Sequence, residues 1–255
     1  MLFLLFALPC FFFVRERPKA GRRFTLASIG AAVQQIGSTL RSTGRYPGLV
    51  RFLVGRVFYT DAVNTVIAFM GIYVTNEVGF STAQAQLVLL VAILCAVVGG
   101  FAWGRVVDRI GPKRTLTLVL YLWMAIFAWT ALIGFLKLPG LLFWPVACLA
   151  GIALGGTWTA DRPYMLRLTP PARIGEFYGL YGMVGRFAAI TGPFIWGLVS
   201  ETLGLGRPTA VLTLLVGVVI AYFILRPVSG ARRAWPAEEQ GAGWPSSPGE
   251  SASER

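Results

Sequence analysis

Six stretches of this chain are long and apolar enough to cross a membrane as helices: 52–75, 85–104, 115–135, 141–160, 177–200 and 208–225. A helix needs about 20 apolar residues to cover the hydrocarbon core. Only helices and closed barrels satisfy their own backbone there, and unalternating runs of this length are helical. The fold class is therefore all-α, a polytopic membrane protein with six complete transmembrane helices. Composition agrees: 56% of the 255 residues are hydrophobic and 13% charged. An ordinary soluble domain carries about 25% charged residues, so a soluble reading lacks the polar surface it needs. A seventh apolar stretch, 1–14, is too short to span and has neither the basic leader nor the small-residue cleavage site of a signal peptide. It reads as a transmembrane helix truncated by the start of the chain.

The loops between spans alternate in charge. Eight basic residues lie in 15–51; Arg105, Arg109, Lys113 and Arg114 form the next basic group, then Arg162, Arg167 and Arg173, then Arg226, Arg232 and Arg233. The alternate loops 76–84, 136–140 and 201–207 hold only Lys137 and Arg207 as cations. By the positive-inside rule the basic set and the tail are cytoplasmic, in a cell membrane, the bacterial inner membrane being expected. This placement also accounts for the net charge of +12 without nucleic acid as a partner. The lipid bilayer is the partner it implies. Within the basic loop 15–51, Leu26, Ile29, Val33, Ile36 and Leu40 recur at helical steps between polar residues. That is an amphipathic helix, either lying on the membrane face or serving as a plain linker. The organisation expected is thus 1–14, a truncated span; 15–51, a basic loop; 52–225, a six-helix domain; and 226–255, a Pro-, Gly-, Ser- and Glu-rich disordered tail.

Several chemistries are excluded. There is no histidine, no GxSxG and no GxxxxGK[ST], which removes the commonest general base, the Ser–His pair and the phosphate-cradling loop of ATP-driven pumps. Cys10, Cys95 and Cys148 each stand alone in apolar sequence, so neither a disulfide frame nor a metal site is expected. No cofactor is implied, and the chain is not read as an enzyme.

Two motifs carry more. The loop Gly104-Arg-Val-Val-Asp108-Arg109-Ile-Gly111-Pro-Lys113-Arg114 resembles the G-x-x-x-D-R-x-G-R/K-R/K signature of the major facilitator superfamily. Physically, Gly104 permits close helix approach, Asp108 suits a helix start or a nearby Arg, Gly111 ends a segment and the basic pair holds the loop inside. The stretch from Gly155-Gly156-Thr-Trp158 through Asp161-Arg162, Pro170-Pro171 and Glu176 to Gly182 resembles one branch of that superfamily. So do Arg56-Val-Phe-Tyr59-Thr-Asp61-Ala-Val-Asn64-Thr65 and Gly185-Arg186 with Gly192-Pro193. The branch is that of the autophagy-related vacuolar amino-acid effluxers and their bacterial relatives. The resemblance implies the C-terminal half of a twelve-helix secondary transporter working by alternating access, with 1–14 the end of the sixth helix and 15–51 the central loop. It implies amino acids or similar small polar solutes as substrate. It also implies an N-terminal half as partner, covalent in a longer chain or separate. A non-transporting membrane scaffold or regulatory half-transporter stays open beside it.

Charges at membrane depth mark the candidate site. Asp61 is the tenth residue from Phe52 and Arg186 the tenth from Phe177, each about 14 Å into a core of about 30 Å. A charge at that depth costs at least about 2.5–3.5 kcal/mol and needs a partner or water. Asp61 and Arg186 are therefore expected to face a shared polar interior and to pair. Two roles remain open for them. One is a protonatable coupling carboxylate with an anchor for a substrate carboxylate; the other is a structural salt bridge. Asn64 and Thr65, one turn on from Asp61, offer neutral hydrogen bonds, and Tyr59, Trp158 and Tyr181 an aromatic wall or plain packing. Arg56 is expected to snorkel or to meet a cytoplasmic acid such as Glu176. Asp161 and Arg162, with the Gly104–Arg114 motif and Glu176, are expected to form a cytoplasmic gate or loop anchor.

Overall fold

The computed structural model describes residues 46–231 and Trp235. The expectations of a truncated span over 1–14 and of an amphipathic helix within 15–51 fall on residues outside those described, as does the tail beyond Trp235. Six long helices follow: α1 Pro47–Asn76, α2 Thr82–Ile110, α3 Pro112–Leu136, α4 Phe143–Leu168, α5 Ile174–Gly197 and α6 Arg207–Leu225. Each contains a stretch apolar and long enough to cross a membrane. Single 3₁₀ turns introduce α4 and α5, and a π-turn, Leu198–Thr202, closes α5.

Local sequence explains the boundaries. Pro47 and Pro112 open α1 and α3 where a missing N–H costs nothing, and Pro208 does the same for α6. Gly111, at φ 85°, and Gly206, at φ 81°, supply the left-handed backbone just ahead of α3 and α6. The α2 start is a reciprocal cap: Ser81 Oγ accepts from Gln84 N at 3.3 Å, and Gln84 Oε1 accepts from Ser81 N at 2.9 Å. Ser81→Ala is expected to lower stability by about 1 kcal/mol, read as the unfolding midpoint in detergent.

Neighbouring helices form the series α2–α4–α3–α6–α1–α5, so α2 and α5 lie at its two ends. Both present apolar side chains outward, among them Val98 and Phe101 on α2 and Ile190 and Phe194 on α5. Outward apolar faces are the expected state of helices whose surroundings are lipid or a further membrane helix. At one end of the bundle Arg207 pairs with Glu77 at 3.2 Å, tying the start of α6 to the α1–α2 loop. At the other, Lys113 Nζ donates to the Arg226 carbonyl at 3.1 Å, tying the start of α3 to the end of α6. The basic loops thus share one end of the bundle.

Glycine sets the closest contact, between α2 and α4. A Cβ on Gly155 would lie 2.6 Å from Gly100 N and closer still to the Ala96 carbonyl oxygen; one on Gly151 would strike the Ala92 carbonyl. Gly99 meets Ile152 Cα in the same way at 2.7 Å. The close pair on α4 is therefore Gly151 and Gly155, as the small-xxx-small spacing suggests. On α2 the approach uses Gly99 and Gly100, whereas a Cβ on Gly104 would meet nothing within 4 Å. The expectation for Gly104 is corrected: it sets no close helix contact, because a Cβ on it would enter open space.

Candidate functional site

Two groups of polar side chains lie between α1, α4 and α5, and they differ in access. The first is closed. Arg56 and Tyr59 come from α1, Asp161 from α4 and Tyr181 from α5. Arg56 Nε donates to Asp161 Oδ2 at 3.0 Å. The Tyr59 hydroxyl donates to Oδ1 at 2.5 Å and the Tyr181 hydroxyl to Oδ2 at 2.6 Å. Arg56 Nη1 also donates to the Tyr181 carbonyl at 2.9 Å, and its guanidinium lies 3.6 Å over the Tyr181 ring. Gly185 makes room for it, since a Cβ there would sit 2.9 Å from Arg56 Nη1. Asp161 is 3% exposed and Tyr59 fully buried. Three donors converge on one carboxylate, and among the described residues no buried side-chain N or O atom lacks a partner. Such a group ties three helices together through a buried, hydrogen-bonded network.

The second group is open. Asp61 is half-buried at the α1–α5 crossing and accepts from Thr191 Oγ1 at 2.5 Å. Thr65 donates to the Asp61 backbone carbonyl at 2.8 Å. Gly192 allows this crossing, because a Cβ on it would collide with Thr65 Oγ1 and lie 2.8 Å from Asp61 Oδ1. Asn64, one turn on, is half-buried, and Arg186 on α5 is exposed. Trp158 on α4 is 60% exposed.

Several expectations change at this point. Asp61 and Arg186 do not pair: the ion pairs among the described residues are Arg56–Asp161, Arg173–Glu176 and Arg207–Glu77. Asp61 is turned to a threonine on α5 instead, and Arg186 makes no hydrogen bond or ion pair among the described residues. Tyr59 and Tyr181 line no open wall, because both hydroxyls are taken by Asp161. Thr65 faces α5 rather than an open space, fully buried with its hydroxyl committed to its own helix. Arg56 does meet an acid, Asp161. Glu176 pairs instead with Arg173 three residues before it, at 2.8 Å.

The apolar run ends at Ala160, which points to a gate or loop position for Asp161, yet α4 continues to Leu168. Asp161 thus lies seven residues inside its helix, about 10 Å from the end, while Arg56 lies about 13 Å into α1. The signal was present in the sequence: two opposite charges at similar distances from the basic ends of their spans. In the 104–114 turn, Gly111 separates α2 from α3 as expected, while Asp108, Arg109 and Arg114 are exposed and Lys113 reaches Arg226. Asp108 makes neither the expected arginine pair nor a helix cap among the described residues. Arg162 is likewise exposed. No cluster of His, Cys, Asp or Glu suited to a metal ion occurs among the described residues.

The comparisons with known proteins agree with this architecture. The family described as vacuole effluxer Atg22 like matches residues 1–235. An uncharacterized MFS-type transporter, YxiO of Bacillus subtilis, is 28% identical over 192 residues, covering 75% of this chain and 44% of its own length. Autophagy-related protein 22-1 of Neosartorya fischeri is 25% identical over 266 residues, covering 94% of this chain and 43% of its own. The Aspergillus niger protein of that name is 23% identical over 246 residues, covering 89% and 40%. The chain therefore spans about two fifths of the length of these curated relatives. No solved structure matches the chain. With a family match running through all six membrane helices, the chain belongs to the Atg22-like vacuole effluxer family of MFS-type transporters.

Proposed function

We propose that this six-helix unit supplies one wall of the solute pathway of a secondary transporter that carries small polar solutes, amino acids among them. The opposite wall belongs to a second half, in keeping with relatives more than twice the matched length. In this reading Arg186 anchors a solute carboxylate and Asp61 carries the coupling proton. Asn64 supplies a neutral hydrogen bond beside them, and Trp158 an apolar wall.

The observation that carries the reading is the state of Arg186. It lies 12 residues into α5, about 18 Å along a membrane-crossing helix, exposed and with no partner among the described residues. A guanidinium at membrane depth needs water or an anion, and its planar fork suits a carboxylate in bidentate contact. Asp61 is accessible on the adjacent helix and is held by a hydroxyl rather than by a cation. A carboxylate in that state is free to gain and lose a proton without stranding a buried positive charge.

The test is uptake of radiolabelled neutral amino acids into membrane vesicles carrying the protein. Arg186→Gln is expected to lower uptake at least tenfold through weaker solute binding. Asp61→Asn is expected to abolish accumulation driven by a proton gradient while leaving solute exchange at equilibrium. Full gradient-driven accumulation by Asp61→Asn would remove Asp61 from coupling, and unchanged uptake by Arg186→Gln would remove the carboxylate anchor.

A further inference from the structure

A groove of about 760 Å³ opens where the α2–α3 turn and the start of α3 meet the residues that follow α6. It shares no residue with the candidate solute site. We propose that this groove binds the headgroup of an anionic phospholipid in the leaflet that meets the basic end of the bundle.

The argument begins with charge. Lys113 and Arg114 line the groove together with Gly111, Thr117 and Gly230, and none of the lining residues is acidic. Lys113 is held in place: a Cβ on Gly230 would lie 3.0 Å from both Lys113 Cβ and Cδ, so the chain after α6 packs directly on the lysine stem. Its ammonium gives one hydrogen bond to the Arg226 carbonyl at 3.1 Å, which leaves two of its three donors for a ligand. Arg114 is exposed and makes no ion pair among the described residues. Two cations on one turn of helix, with no acid in the groove, make a site for a phosphate.

The other wall says where that phosphate comes from. Ile110 and Leu118 line the same groove and expose their side chains, continuing the apolar outer surface of α2 and α3. Further along the α3–α6 seam the exposed hydroxyls of Tyr121 and Tyr222 meet at 2.6 Å. That pair lies eight residues from Lys113, about 12 Å deeper. A soluble anion would use the cationic corner alone. A phospholipid uses both features, with its phosphate at Lys113 and Arg114 and its glycerol and acyl chains along Leu118 and the seam. Basic pockets at this depth beside membrane helices recognise lipid headgroups on this principle.

Native mass spectrometry of the purified protein in detergent tests the assignment, with dioleoylphosphatidylglycerol and dioleoylphosphatidylcholine as probes. The protein is expected to retain one phosphatidylglycerol at about tenfold lower concentration than phosphatidylcholine. Lys113→Gln with Arg114→Gln is expected to erase that preference, and Arg114→Gln alone, at an exposed side chain, to reduce it. Arg105→Gln, outside the groove, should leave it intact. Equal retention of the two lipids, or a preference that survives the double substitution, overturns the proposal. Displacement of phosphatidylglycerol by millimolar glycerol 3-phosphate or inorganic phosphate would also overturn it, because the site would then read a soluble phosphate.

Discussion

Asp161→Ala is expected to destabilise the bundle by about 3–5 kcal/mol, the cost of breaking a buried ion pair by removing one partner. The substitution strands more than one group. Arg56 Nε, the Tyr59 hydroxyl and the Tyr181 hydroxyl all donate to this carboxylate, and all three residues are buried. Arg56→Met is expected to cost less. It removes one of three donors and leaves Asp161 accepting from two phenols, whereas Asp161→Ala strands a guanidinium and two hydroxyls at once. The ordering Asp161→Ala worse than Arg56→Met therefore follows from how many buried groups each substitution strands. The combined Arg56→Met, Asp161→Leu, Tyr59→Phe and Tyr181→Phe protein is expected to recover most of the loss, because apolar packing replaces a satisfied polar group at little net cost. Unfolding midpoints in detergent check the series. Equal midpoints for Asp161→Ala and the parent would mean that the cluster does not hold α1, α4 and α5 together.

The same cluster shows where the sequence stopped being legible. Span number, helical class and family were readable because each depends on a local property: the length of an apolar run, or the spacing within a loop motif. The helix ends were less so. Hydropathy reports where the apolar surface stops, whereas the backbone continues while its hydrogen bonds can be made, so α4 carries Asp161 inside a helix that hydropathy ends at Ala160. Partner choice was the hardest, because it depends on helix rotation. Depth alone paired Asp61 with Arg186, which stand at matching heights in their spans. The crossing of α1 and α5 instead turns Asp61 toward Thr191 and leaves Arg186 outward. Arg56, for which either snorkelling or a cytoplasmic acid is expected, points inward to Asp161 because Gly185 leaves a space that fits its guanidinium. A missing side chain on one helix thus decided the partner of a charge on another, which no periodicity in either helix encodes.

Glycine also provides the second large effect. Gly155→Val is expected to destabilise the protein by about 3 kcal/mol, the upper part of the range for overpacking. The reason lies in what the new side chain meets. On Gly155 the obstacles are the Ala96 carbonyl and Gly100 N, both backbone atoms of α2. A flexible side chain in their place could rotate away; a helix backbone can yield only by moving the helix. Gly151→Val meets the Ala92 carbonyl one turn earlier, so the double substitution would push α2 off α4 along two turns. Since α4 is the principal neighbour of α2, little else would hold α2 to the bundle. Gly104→Ala is the control. It belongs to the loop motif and lies one turn from Gly100, but its Cβ would enter open space, so helix propensity alone predicts no loss and up to about 1 kcal/mol of gain. The readout is the unfolding midpoint, joined by disulfide trapping between the native Cys95 and Cys148, whose thiols meet across α2 and α4. Loss of trapping in Gly155→Val, with trapping kept in Gly104→Ala, would show that contact distance and not glycine spacing sets the α2–α4 crossing. Equal loss in both would mean that the motif glycine acts through packing after all, against the open space that surrounds it here.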